Sequence, residues 1–402
     1  MDITIPLFTL ESRIKRRLRK HLQGLGFIKT KEGFLLPPDE SKESLRALHH
    51  LQRKERLSNQ QFFINSAWSH LREHFADGGE IDVSEISPKL ELIQSKTWQS
   101  DLFRLAGLTW SVPVSPGYGR RMRFLVWDNK NGKLIGLIGL GDPVFNLKVR
   151  DELIGWSADD RRQRLVNVMD AYVLGAVPPY NRLLGGKLVA SLVRTKEVRD
   201  MFVTRYASTK GIISQERKSA SLALVTTSSA LGRSSVYNRL SLNGQHYFKP
   251  IGYTSGWGHF HIPNDLFELI RLYLEEQGDV YAGNHKFGDG PNWKLRAVRK
   301  ALSLLGLNPD LLRHGIKREV FACELAANTL SFLAGKSKLP RYNGLLSVAE
   351  VSALAKSRWI EPRAARCPDF RYWRNDRILD LLVEQENFAT RTAPEAITNG
   401  TG

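Results

Sequence analysis

Four short apolar runs separated by turn chemistry constrain this chain more than anything else in it. Arg123–Trp127 and Leu134–Leu140 flank Asn131-Gly132, a pair that favours the left-handed backbone of a tight hairpin. Ala171–Val177 and Ala220–Thr227 are further β-type runs. Between them the chain breaks at Pro178-Pro179 and reopens after Gly185-Gly186 as an amphipathic helix, expected from Lys187 to about Tyr206. A strand, a glycine turn and a helix start place several N–H groups in one spot, a common way to hold phosphate. The expected class is therefore α/β (α+β), a mixed sheet with helices.

Charge is the second constraint. The chain of 402 residues carries 59 Lys and Arg against 41 Asp and Glu, a net charge of +18. A field of that sign favours polyanionic partners, nucleic acid first. Two cysteines, Cys323 and Cys367, argue against a disulfide framework or a cysteine-rich zinc site, and the histidines show no metal spacing, so no metal is expected. The first residues lack the order of a secretory signal, and no apolar run is long enough to span a bilayer. The expectation is a cytoplasmic protein without a membrane partner.

In chain order, residues 1–95 read as a basic helical region. Helices are expected over Glu11–Leu25, Ser41–Leu57 and Asn59–Phe75. In the first, Ile14, Leu18 and Leu22 form one apolar stripe, leaving Arg16, Arg17 and Lys20 on cationic faces. This region is either a cap over the core or a module gripping a phosphate backbone. Residues 96–262 are the α/β core, entered through the loop SVPVSPGYGRRMR. There Tyr118 stands beside Arg120, Arg121 and Arg123, the parts of a stacking and phosphate contact. Asp142 ends a strand, as a turn former or as a catalytic carboxylate. His259 and His261 are expected on one face of a strand. Residues 263–385 read as helical, with Asn264–Glu276, Trp293–Leu305 and about Pro309–Ala334. The last would put His314, Lys317 and Arg318 on one anion-binding face. Residues 386–402 are polar and expected to be disordered.

The core order of strands, glycine turn, long helix, strand, short helix and strand resembles the GNAT acyltransferase fold. In that fold an Arg/Gln-x-x-Gly-x-Gly/Ala loop holds the pyrophosphate of acyl-CoA. The matching stretch is Arg182-Leu183-Leu184-Gly185-Gly186-Lys187, with Lys187 where a small residue is usual. The resemblance implies cofactor contacts at Arg182, Leu184, Gly185, Gly186 and Lys187. It also implies a general acid at Tyr237, on the short helix after the next strand. Asp142 is the carboxylate expected to serve as base.

A closer resemblance covers roughly residues 108–325. LTWSVPVSPGYGRRMRFLVWD, LIGLGDPVFNLKVRDELIGW, VMDAYVLGAVPPYNRLLGGKLVASL, TTSSALGRSSVYNRL, GYTSGWGHFH, GDGPNWKLR and LLRHGIKREVF together resemble the DruA family of the bacterial Druantia anti-phage systems. Membership implies a role in defence beside other system proteins, including a helicase-like subunit. Two functions follow. One is a component that engages DNA through a basic surface, and the other is a GNAT-like acyltransferase or an enzyme modifying nucleobases as the Mom proteins do. A metal-dependent nuclease ranks third, because no metal-binding string is present.

Overall fold

The computed structural model describes residues 9–383 except 30, 32–34, 37–40, 116, 118, 211–216, 256–258, 260, 283–292 and 314–315. Expectations for Tyr118, His314 and the 386–402 tail lie outside the described residues.

One seven-stranded mixed sheet organises the molecule. Its strands, numbered here in chain order, are β1 (Pro88–Leu92), β2 (Arg121–Asp128), β3 (Lys133–Gly141), β4 (Val168–Ala176), β5 (Leu224–Ser228), β6 (Lys249–Tyr253) and β7 (Glu319–Glu324). The spatial order is β1-β2-β3-β4-β5-β7-β6. All neighbours run antiparallel except β4 and β5, which are parallel. The hairpin of β2 and β3 turns through Asn131-Gly132 as the pattern predicts, with Gly132 at φ +70°. β3, KLIGLIGLG, is buried along almost its whole length because helices cover both faces.

Alternation along β2 sends Met122, Phe124 and Val126 to one face and Leu125 to the other. The first face packs on helices α7 (Gly185–Ser191) and α8 (Lys196–Tyr206) through Val189, Val198 and Phe202. The second packs on α3 (Gln61–Leu71) and α4 (Trp98–Gly107). A separate cluster joins α1 (Leu10–Gly24) to α9 (Asn264–Glu276) and α10 (Trp293–Leu304). Its α1 stripe is Ile14, Leu18 and Leu22, the residues the sequence periodicity singles out. The helix α2 (Lys42–Asn59) and the short helices α5 (Lys148–Ile154) and α6 (Ala158–Arg164) also form. After β7 come α11 (Thr329–Leu333), α12 (Val348–Ala355) and α13 (Glu361–Arg366).

Three expectations change. The helix over Pro309–Ala334 does not exist. Glu319–Glu324 instead forms β7, an inner strand between β5 and β6. Its residues Val320–Cys323 are fully buried, and a strand between two others satisfies its backbone groups on both edges. The helix Lys187–Tyr206 is two helices. A 3-10 turn at Leu192–Arg194 separates them, and Thr195 is extended and bridges to Leu346. His259 forms only a single bridge, with Arg313, whereas His261 Nε2 lies 2.5 Å from Glu55 Oε2. The sheet also draws β1 from before residue 96 and β7 from after residue 262.

Candidate functional site

The singular point of the sheet is where its parallel pair separates. β4 and β5 align over Val168↔Leu224, Met169↔Val225 and Asp170↔Thr226, and no further. Beyond that rung the Thr227 hydroxyl donates to the Ala171 carbonyl at 2.8 Å. At the rung itself Thr226 Oγ1 donates to Asp170 Oδ1 at 2.8 Å. Asp170 keeps some accessible surface, yet protein surrounds its carboxylate. Burial raises its pKa to about 6, against the opposing pull of the Thr226 hydroxyl and the Arg150 charge. A carboxyl poised there can hold or release a proton near neutrality. Asp170 was not among the residues the sequence pointed to. Its only signal is an acid inside an apolar run, VMDAYVLGA.

Tyr237 approaches from the 3-10 turn Tyr237–Arg239 that follows β5. Its ring lies 5.1 Å from that of Phe248 and 5.2 Å from that of Phe321. Burial raises its hydroxyl to about 12, with Thr227 and Asp170 the polar groups acting on it. The turn that carries it is tied to β7, because Asn238 Nδ2 and the Ser234 N–H both donate to Glu319 Oε2, at 2.8 and 3.1 Å.

Asp142 is differently placed. Arg120 donates to it from Nε at 2.7 Å and from its backbone N–H at 2.9 Å. The same guanidinium donates to the carbonyls of Val166, at 2.8 Å, and Val168, at 3.3 Å. Gly119 (φ +54°) is required beside them, since a Cβ there would sit 2.1 Å from Asp142 Oδ2. This pair fastens the loop before β2 onto the sheet. Asp142 is therefore not a free base, and Arg120 is not a surface anion contact.

The glycine loop is also largely committed. Arg182 Nη1 donates to Asp369 at 3.0 Å, and its guanidinium lies 5.2 Å from the Trp373 ring. Leu184 is left-handed (φ +61°), and Gly185 packs so closely that a Cβ would be 2.5 Å from the Tyr180 carbonyl oxygen. The Lys187 N–H donates back to the Leu184 carbonyl at 2.9 Å, while space beside Gly186 is open.

The expected nucleic-acid contacts lie on separate elements. Arg16, Arg17 and Lys20 are exposed on α1, where Arg17 pairs with Asp265 at 3.1 Å. Arg121 is exposed, but the guanidinium of Arg123 lies 5.6 Å from the Phe103 ring. Lys317 is exposed and Arg318 half-buried, on an irregular segment rather than one helix face.

Two other cationic groups are assembled by the fold. In the first, Arg182 and Arg377 lie 5.2 and 5.3 Å from the Trp373 ring. Arg363 Nε donates to the Arg182 carbonyl at 3.1 Å, and Arg371 lies over Phe370. Tyr372, the residue before Trp373, is 82% exposed. The mixture of Arg with Trp and Tyr in RWIEPRAARCPDFRYWRNDR is its sequence signal. The second, Lys187 with Arg239 and Arg358, has no such signal. Among the described residues no group of three or more His, Cys, Asp or Glu could hold a metal, and no helix is long and apolar enough to cross a membrane.

A mixed α/β protein with a buried carboxylate at the parting of its parallel strands and a basic, aromatic outer segment is the class so defined. The Druantia protein DruA family model matches residues 39–335. A Druantia protein DruA of Escherichia coli (strain UMEA 4076-1) is 52% identical over 381 residues, covering 95% of this chain and 94% of that protein. The chain belongs to the DruA family of the Druantia anti-phage defence systems. No solved structure matches it.

Proposed function

We propose that this chain is the DNA-engaging component of its defence system, holding a strand on the basic, aromatic face around Trp373. It acts beside other proteins of the system, including the helicase-like subunit that family membership implies. One observation carries the reading. An aromatic side chain as exposed as Tyr372, between Arg371 and Trp373 in the chain, with Arg377 lying 5.3 Å from the Trp373 ring, has the parts of a stacking platform with phosphate contacts. The net charge of +18 supports it. The order β1-β2-β3-β4-β5-β7-β6, with only β4 and β5 parallel, supports a GNAT-like scaffold beneath that face.

The residues do not fit an acyl-CoA cradle. Arg182 is held by Asp369, the Lys187 N–H by the Leu184 carbonyl, and Tyr237 is walled by Phe248 and Phe321. A base-modifying activity is favoured by Asp170 alone. Nucleosides from phage-infected cells that are unmodified with wild-type protein would remove it.

The test of DNA engagement is fluorescence anisotropy with a labelled single-stranded oligonucleotide over a salt series. Tyr372→Ala should weaken binding by the value of one stacked base, about 1–3 kcal/mol. Arg371→Gln with Arg377→Gln should lower the salt slope by roughly 1.4. Unchanged affinity in both variants would refute the proposal.

A further inference from the structure

Lys187, Arg239 and Arg358 are far apart in sequence and come from α7, the Tyr237–Arg239 turn and the π-helical segment Lys356–Ile360. The ammonium of Lys187 stands 5.4 Å from the ring centre of Trp359, the residue after Arg358. Burial lowers the pKa of Lys187, and the nearby charges of Arg239 and Arg358 lower it further. Among the described residues none of the three is in an ion pair with a carboxylate, and Arg239 and Arg358 are exposed. Gathering three like charges costs free energy unless an anion joins them.

A cavity of about 530 Å³ has Arg358 in its wall, together with Leu242 and Asn243, three and four residues after Arg239. Leu242, Leu346 and Leu354 supply its apolar surface, and Asn243 and Ser357 its neutral polar groups. Its one carboxylate, Glu350, is already engaged, accepting from the Ser347 N–H at 2.7 Å and hydroxyl at 2.8 Å and facing Lys196 at 3.8 Å. An exposed arginine in the wall of a partly apolar cavity suits a ligand with phosphate at one end and a flat or apolar body at the other.

We propose that Lys187, Arg239 and Arg358 form a binding site for the phosphates of a nucleotide, whose body lies in the adjoining cavity. The site uses side chains from three elements rather than the backbone of the glycine loop. It does not depend on strand binding at Tyr372. The nucleotide is either free or the phosphorylated end of a strand, which share this chemistry.

Calorimetric titration of the full-length protein with inorganic pyrophosphate, then with a nucleoside diphosphate, tests the site. Both should bind, the nucleotide more tightly because it also fills the cavity. Arg239→Gln, Arg358→Gln and Lys187→Met should each weaken pyrophosphate by about tenfold or more. The two exposed arginines can be replaced without disturbing the core, so these variants remain readable if Lys187→Met fails to fold. Arg13→Gln on α1 and Tyr372→Ala should change nothing. Oligonucleotides with and without a 5′-phosphate identify the source. A preference for the phosphorylated end that is lost in Arg358→Gln assigns the site to strand ends, and its absence, with nucleoside diphosphate bound, assigns it to free nucleotide. Absence of pyrophosphate and nucleotide binding at millimolar concentration, or binding indifferent to all three substitutions, overturns the proposal.

Discussion

Replacing Asp170 by Asn should make the protein more stable at neutral pH. The Asn side-chain oxygen can still accept the Thr226 hydroxyl, so the 2.8 Å contact survives while the charge goes. A carboxyl moved from 3.8 to about 6 by folding carries on the order of 3 kcal/mol against its charged form. The folded pKa is above the unfolded one. The cost is therefore absent below the unfolded pKa, grows as pH rises between the two values, and is complete above the folded one. Urea denaturation of wild type and Asp170→Asn should show a gap of about 2–3 kcal/mol at pH 7.5 that closes toward pH 4. An Asn variant no more stable than wild type at pH 7.5, or a gap that stays constant on acidification, would refute the reasoning. A carboxylate kept where it costs stability is the mark of a group retained for work.

Other outcomes follow from the packing. A Cβ at Gly78 would lie 1.9 Å from the Phe370 carbonyl oxygen, so Gly78→Ala should unseat the Phe370–Asn375 segment held there by Asp77. The cost is about 1–3 kcal/mol, with weakened oligonucleotide binding as the second readout. Arg150 is fully buried and donates to Asp151, at 2.6 Å, and to the carbonyls of Val144 and Phe145, each at 2.9 Å. Arg150→Met leaves those acceptors short of a donor and should cost about 3–5 kcal/mol in chemical denaturation. Burial pushes the Cys323 thiol up to about 12, so a thiol reagent at pH 8 should label native protein at Cys367 alone and Cys323 only after unfolding.

Local pattern sufficed for much of the architecture. Period-two and period-four apolar spacing located β2, β3, β4, α1, α2, α3, α9 and α10, because each pattern follows from which face of one element is buried. The same local view failed at Glu319–Glu324. The short apolar run Val320–Cys323, between basic residues and an alanine-rich stretch, fits a helix or a strand, and only the open edges of β5 and β6 decide between them.

The sequence by itself determined that the chain is a basic, mixed α/β protein whose sheet begins in the hairpin around Asn131-Gly132, since charge and turn chemistry are properties of neighbours along the chain. Tertiary structure alone decided which of its charges are free to act. Asp142 is paired with Arg120, twenty-two residues earlier, while at Asp170 burial outweighs the Arg150 charge and lifts the pKa. Lys187, Arg239 and Arg358 meet only because a helix, a turn and a π-helical segment pack together. Electrostatic energy depends on distance in space, and that distance is set by the fold.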